Sequence, residues 1–282
     1  MESTLLLISI VTLGLSLLYI LGIAISGNMV VRTVTRGKPV QTVERIFTPA
    51  GYVWLAFAGL ALAFLTITII SRIVASGHGP FSNMYEFTVA FAWGIILMSL
   101  IFLWRYRTAS ISVIGIGMAF GLLIFANTLP SKVIPLVPAL QQSVLLSVHV
   151  ACAVIAYGAF AIGFSAALLT LIGHYFKVSW IPDADLLDRI SYNTMIIGFP
   201  FLTLTIILGA VWANIAWGRP WGWDPKETAS LVTWLLFAGY LHARVLRGWR
   251  GTKSALLLVI GFLAVLFTFF GNYIFQGLHA YS

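Results

Sequence analysis

The chain has 282 residues, of which 60% are hydrophobic and only 9% charged, and its mean hydropathy is +1.00. A water-soluble globule of this length cannot hide that much apolar surface, so lipid must solvate most of the chain. The net charge of +8 would suggest a nucleic-acid patch in a soluble protein. In a membrane protein basic residues mark the cytoplasmic loops instead, and no nucleic-acid partner is expected.

A spanning helix needs about 20 mostly apolar residues. Runs of that kind predict eight spans, over roughly 4–26, 50–71, 86–104, 110–126, 145–173, 190–212, 228–246 and 254–275. They are much longer than the alternating segments of about 10 residues that build a membrane barrel. The expected fold class is therefore all-α: a polytopic membrane helix bundle of about eight transmembrane helices, one domain over residues 1–282. Residues 1–4 carry no positive run, and the first apolar stretch is too long for a signal-peptide core, which predicts a retained first span.

Lys and Arg positions set the orientation. With the N-terminus outside, the inner loops hold Arg32, Arg36, Lys38, Arg45, Arg105, Arg107, Lys177, Arg189, Arg244, Arg247, Arg250 and Lys253. The outer loops hold only Arg72, Lys132, Arg219 and Lys226. Twelve against four is a positive-inside bias that puts both termini, residues 77–86, residues 127–142 and the loop between spans six and seven on the outer side.

The chemistry-bearing residues follow in chain order. His78 stands in a Gly-Pro-Ser-Asn turn before span three, where it either completes the hydrogen bonds of the turn or serves as a ligand. His149 lies in the first turns of span five, near the outer surface; it reads as an interfacial histidine or as one half of an axial pair. The lone Cys152 sits in an apolar run and reads as a buried structural thiol, with neither a disulfide framework nor a Cys-x-x-Cys pair. His174, ahead of Tyr175, Phe176 and Lys177, reads as interfacial. Asp183, Asp185 and Asp188 are irregularly spaced and predict a solvated connector rather than a metal site.

The densest signal is the segment at about 212–228, where Trp212, Trp217, Trp221 and Trp223 bring four of the ten tryptophans together among Gly and Pro. An aromatic belt at the membrane interface accounts for one or two of them. Four so placed also suggest a flat apolar surface suited to a planar macrocycle. Asp224-Pro225-Lys226-Glu227 has the pattern of a helix start, with an N-cap, Pro at N1 and Glu at N3, so both carboxylates read as capping rather than catalytic.

His242 lies about 14 residues into span seven, roughly 20 Å below the outer loop, and an ionisable group at such depth is functional by default. A residue snorkelling beside Arg244 is the other possibility. His279 lies beyond span eight on the outer side, where it could converge with His149 over the Trp segment. Two neutral imidazoles from opposite sides make an axial set for haem iron, and His242 is too deep to join them.

These residues match a known family. The run Gly209-Ala-Val-Trp212-Ala-Asn through Trp223-Asp224-Pro-Lys-Glu227-Thr228, with Tyr240-Leu-His242-Ala-Arg244 and Gly248-Trp249-Arg-Gly251, closely resembles the WWD region of the CcsA family. That family, also called ResC, acts in System II cytochrome c biogenesis. The likeness extends to Gly77-His78-Gly-Pro80 through Tyr85-Glu86, Ser147-Val-His149-Val, Leu187-Asp188-Arg-Ile-Ser191-Tyr192 and Gly277-Leu-His279-Ala-Tyr281. Ala229 stands where plastid relatives often have another Trp, so one edge of the segment departs from the pattern.

The resemblance implies a haem transporter and chaperone that works with a CcsB-type subunit as a holocytochrome c synthase, an enzyme only as that complex. It implies haem b as transported ligand, cofactor-binding residues Trp217, Trp221, Trp223 and Asp224, and iron ligation by His149 and His279 outside and by His242 within the membrane, where CcsB supplies the second ligand. The implied partners are the CcsB-type subunit, apocytochrome c with its Cys-x-x-Cys-His segment, thiol-reducing proteins of the pathway and the lipid bilayer. The implied location is a bacterial plasma membrane or a thylakoid membrane, with the WWD loop on the outer or lumenal side. Two rivals stand beside this reading: a haem transporter or delivery protein without ligation activity, which shares the WWD loop, and a membrane electron-transfer cytochrome, which calls for histidine pairs at matching depths where this sequence offers only His242 well inside a span.

Overall fold

In hydrocarbon every backbone N–H and C=O must find an internal partner, and a helix provides one for each. The computed structural model of the chain describes residues 2–25, 49–77, 79, 83–132, 143–176, 178 and 180–274. Among them are eight helices and no strand: α1 (Glu2–Ile25), α2 (Pro49–Ser76), α3 (Met84–Tyr106), α4 (Ser110–Asn127), α5 (Ser143–Tyr175), α6 (Ala184–Trp217), α7 (Pro225–Arg247) and α8 (Thr252–Ile274). All eight are long and apolar enough to cross a membrane, as the hydropathy of the chain predicts.

Helix α5 lies at the centre, against α3, α4, α6 and α8; α1 packs on α2 and α4, and α7 on α6 and α8. The α3–α5 contact brings two backbones together. A Cβ on Gly158 would sit 2.7 Å from the carbonyl oxygen of Gly94, and one on Gly94 2.9 Å from that of Val154. Small residues at such crossings let dispersion act between backbones where lipid offers no hydrophobic drive. On the other side of α5, the Phe160 and Phe237 rings pack at 4.1 Å between centroids. Each ring also covers a glycine of a third helix, Gly198 and Gly261 respectively. Leu18, Val74, Ile207 and Leu235 are exposed on the rim of the bundle, the surface that lipid covers in a membrane.

Two ion-pair knots close opposite ends of the bundle, and both correct the sequence-based expectation. Arg72 is expected in an outer loop, but α2 runs on to Ser76 and the guanidinium is buried. Its Nε donates to Glu86 on α3 at 2.8 Å, and Nη1 to Glu2 on α1 at 2.9 Å. It also donates to the carbonyl oxygens of Ser131 and Lys132 after α4 and lies over the Tyr85 ring. A charge ends a hydropathy run, but not the helix when carboxylates neutralise it.

Asp188 is the second correction. Asp183 and Asp185 are exposed, as a solvated connector would be, but Asp188 is buried. Its carboxylate takes both Nη1 and Nη2 of Arg244 from α7, the Gly251 N–H at 3.2 Å and the Ser254 hydroxyl of α8. Tyr192 lies beneath the guanidinium at 5.1 Å, and the Trp249 carbonyl accepts from Nη1 at 3.3 Å. Gly251 has φ +62°, a left-handed backbone that favours glycine. Fork-to-fork pairing of this kind fixes geometry as well as energy, here the mutual placement of α6, α7 and α8.

Candidate functional site

The aromatic segment is only partly a loop. Helix α6 carries Trp212 and Trp217 in its last turns and ends at Gly218, whose φ of +70° forms a left-handed cap with its N–H on the Asn214 carbonyl. A glycine past the last helical residue is the usual way to satisfy those carbonyls. Only residues 218–224 lie between α6 and α7. Trp212 is buried and meets Trp217 edge to face, with centroids 4.8 Å apart and planes at 76°. Trp221 meets Trp223 in the same way, at 5.8 Å and 89°. The perpendicular pairs suit the indole quadrupoles, and neither forms one flat plane; Trp212 is buried, Trp217 and Trp221 are half-buried and Trp223 is exposed.

Trp223 is 70% exposed and has φ +56°, a conformation costing about 1–2 kcal/mol for a residue with a side chain. The capping box that holds it there matches the Asp-Pro-Lys-Glu pattern. Asp224 is the N-cap of α7, accepting from Lys226 N–H at 3.1 Å. Oε2 of Glu227 accepts the Asp224 N–H at 3.2 Å and also the Gly222 N–H at 2.7 Å. The carboxylate thus grips the amides on both sides of Trp223, a bond that the box motif alone does not foretell. The Lys226 ammonium lies 4.8 Å from the Phe87 ring centroid, tying the start of α7 to α3.

His149 is half-buried on α5 and turned toward α6. Its Nδ1 lies 2.8 Å from the backbone oxygen of Thr205. A carbonyl can only accept, so Nδ1 carries the proton and, in the neutral ring, Nε2 carries the lone pair. Such a second hydrogen bond to a backbone carbonyl is how ligating imidazoles are oriented. The ring lies on Gly209, where a Cβ would come 2.9 Å from its Cε1. Gly209 precedes Trp212 by three positions and Trp217 by eight, about 4.5 and 12 Å along the helix axis, so the imidazole lies within a turn of the start of the aromatic segment and below Trp217.

His242 is exposed on α7, and Arg244 explains why. Positions two apart on a helix are about 200° apart; with Arg244 turned into the Asp188 knot, His242 faces away from α6 and α8. His174 is exposed at the end of α5. His279 and His78 lie outside the described residues. The described part of the site thus consists of His149, the Trp segment with Asp224, and the separate His242. Sequence reasoning misses Asp188, whose partners are distant in the chain; the run Leu187 to Tyr192, already conspicuous in the family resemblance, was the available signal.

Comparison with known proteins bears on these residues. Residues 81–279 match the family described as "Cytochrome C assembly protein". A cytochrome c biogenesis protein CcsA of Guillardia theta is 36% identical over 259 residues, covering 81% of this chain and 86% of that protein. One from Chlamydomonas reinhardtii is 40% identical over 236 residues, covering 79% and 67%. A third, from a Picosynechococcus strain, is 35% identical over 301 residues, covering 82% and 89%.

Proposed function

The chain belongs to the CcsA family of membrane proteins in cytochrome c biogenesis, and on that premise we propose that it carries haem b outward and presents it to apocytochrome c. A CcsB-type subunit completes the synthase. The Trp segment faces the outer or lumenal side of a plasma or thylakoid membrane, and both termini lie there too, in accord with the distribution of Lys and Arg. Haem enters near His242, moves outward between helices and is held against Trp217, Trp221 and Trp223, with its iron capped by His149 and His279. Asp224 closes the aromatic segment through its cap on α7.

One observation carries this proposal: the His149 imidazole of α5, its tautomer set by the Thr205 carbonyl, rests against α6, the helix that ends in the Trp segment. Exposure of His242 accords with a second ligand supplied by the CcsB-type partner, since an ionisable group facing hydrocarbon calls for a cover. The chemistry on the outer side is thiol addition. Each cysteine sulfur of the Cys-x-x-Cys-His segment bonds to the inner carbon of a haem vinyl group, and the thiol hydrogen ends on the terminal carbon. Thiol-reducing proteins keep those cysteines reduced, and this chain contributes orientation and exclusion of water.

The test is to purify the chain with and without its partner and to record haem spectra for His149→Ala, His242→Ala and His279→Ala. Haem lost after either outer substitution, and regained with added imidazole, is the expected result. Wild-type spectra from both His149→Ala and His279→Ala would remove these residues from the iron and overturn the assignment.

A further inference from the structure

We infer that Gly209 is a positioning residue for haem ligation, its missing side chain providing the seat that holds the His149 imidazole with Nδ1 on the Thr205 carbonyl. This inference rests on the proposed function, because it concerns how the ligand nitrogen of His149 is aimed.

Three distances carry it. A Cβ at position 209 would lie 2.9 Å from Cε1, 3.2 Å from Nδ1 and 3.9 Å from Nε2 of His149, so the ring lies directly against the glycine backbone. The Thr205 oxygen is 2.8 Å from Nδ1. Thr205 and Gly209 are four apart on α6, hence neighbours on one face. One residue therefore offers the acceptor and the next turn offers the space. Among the contacts that a Cβ at 209 would make within 4 Å, the three nearest all belong to this ring. An alanine Cβ there crowds the imidazole at 2.9 Å, and none of its three nearest contacts is to backbone of α5. Backbone carbonyls that receive the second N–H of a ligating histidine fix its tautomer and raise its basicity, and disturbing such partners typically costs about 10- to 100-fold in metal affinity.

The test compares Gly209→Ala, His149→Ala and the double variant in the full chain purified with its CcsB-type partner, using iron protoporphyrin IX as the probe. Gly209→Ala is expected to weaken haem retention about 10- to 100-fold, to alter the reduced absorption spectrum and the midpoint potential, and to be rescued by added imidazole. In the His149→Ala background with haem restored by added imidazole, the same substitution is expected to change nothing further, because the ring it displaces is gone. Equal losses in both backgrounds, or a Gly209→Ala protein with wild-type spectrum and affinity, would overturn the inference while leaving the function intact. Unaltered haem binding in His149→Ala would remove that ring from the iron and overturn the inference; the ligand assignment of the proposed function falls only if His279→Ala also keeps the wild-type spectrum. Should Gly209→Ala fail to accumulate, accumulation of the double variant supports the seat; failure of both marks Gly209 as a packing residue only and ends the inference.

Discussion

The two halves of this bundle are tied at opposite ends. In the first half, Arg72 joins the start of α1, the end of α2, the start of α3 and the segment after α4. In the second half, Asp188 joins the start of α6, the end of α7 and the start of α8. The second knot sits at the end remote from the Trp segment, which neutral indole contacts and the two capping carboxylates, Asp224 and Glu227, hold in place. At each of these two points a guanidinium–carboxylate pair fixes several helix ends against each other. The aromatic end of α6 and α7 is left with weaker, more local bonds.

The comparison can be broken most sharply at Arg72. Arg72→Met strips Glu86, whose side chain is 1% exposed, of its guanidinium. Leaving one partner of a buried pair alone costs about 3–5 kcal/mol, and denaturant or thermal unfolding in detergent should show that loss. Asp188→Asn removes the charge but keeps one acceptor for the Gly251 N–H, so a smaller destabilisation, about 2–3 kcal/mol, is expected. The Asp188→Leu/Arg244→Met pair should recover most of it, because apolar replacement of both partners is often close to neutral.

Glu227→Ala sharpens the contrast with the aromatic end. It should cost only about 1 kcal/mol of global stability while speeding hydrogen exchange at the Gly222 and Asp224 amides, the two that flank Trp223. Exchange that stays unchanged would mean that the carboxylate does not hold the left-handed Trp223. Glu2→Gln should have the smallest effect, below about 1 kcal/mol, since Glu2 is 26% exposed and Arg72 keeps Glu86.

The helical part of the architecture was legible in the sequence because hydrocarbon leaves few choices. A run of apolar residues long enough to cross must be a helix, and all eight predicted runs are. The start of α7 was legible too, because capping chemistry acts within four residues: Asp224, Pro225 and Glu227 stand as their pattern indicates. Helix ends near charges were not legible. Arg72 ended its run on hydropathy, and Glu86 and Glu2, 14 and 70 positions away, show why the helix continues. Of the candidate ligands, the placement of His149 against Thr205, 56 positions distant, had no signal in the local pattern.

Composition and local pattern by themselves determined the solvent of the chain, the number and kind of its spans and the cap after the aromatic segment, since transfer free energy and capping depend on neighbours in sequence. Only the tertiary structure decided that Asp188 is buried, that His242 faces outward and that His149 rests on Gly209. Each of these depends on which helix face meets which, and that is set by contacts between residues far apart in the chain.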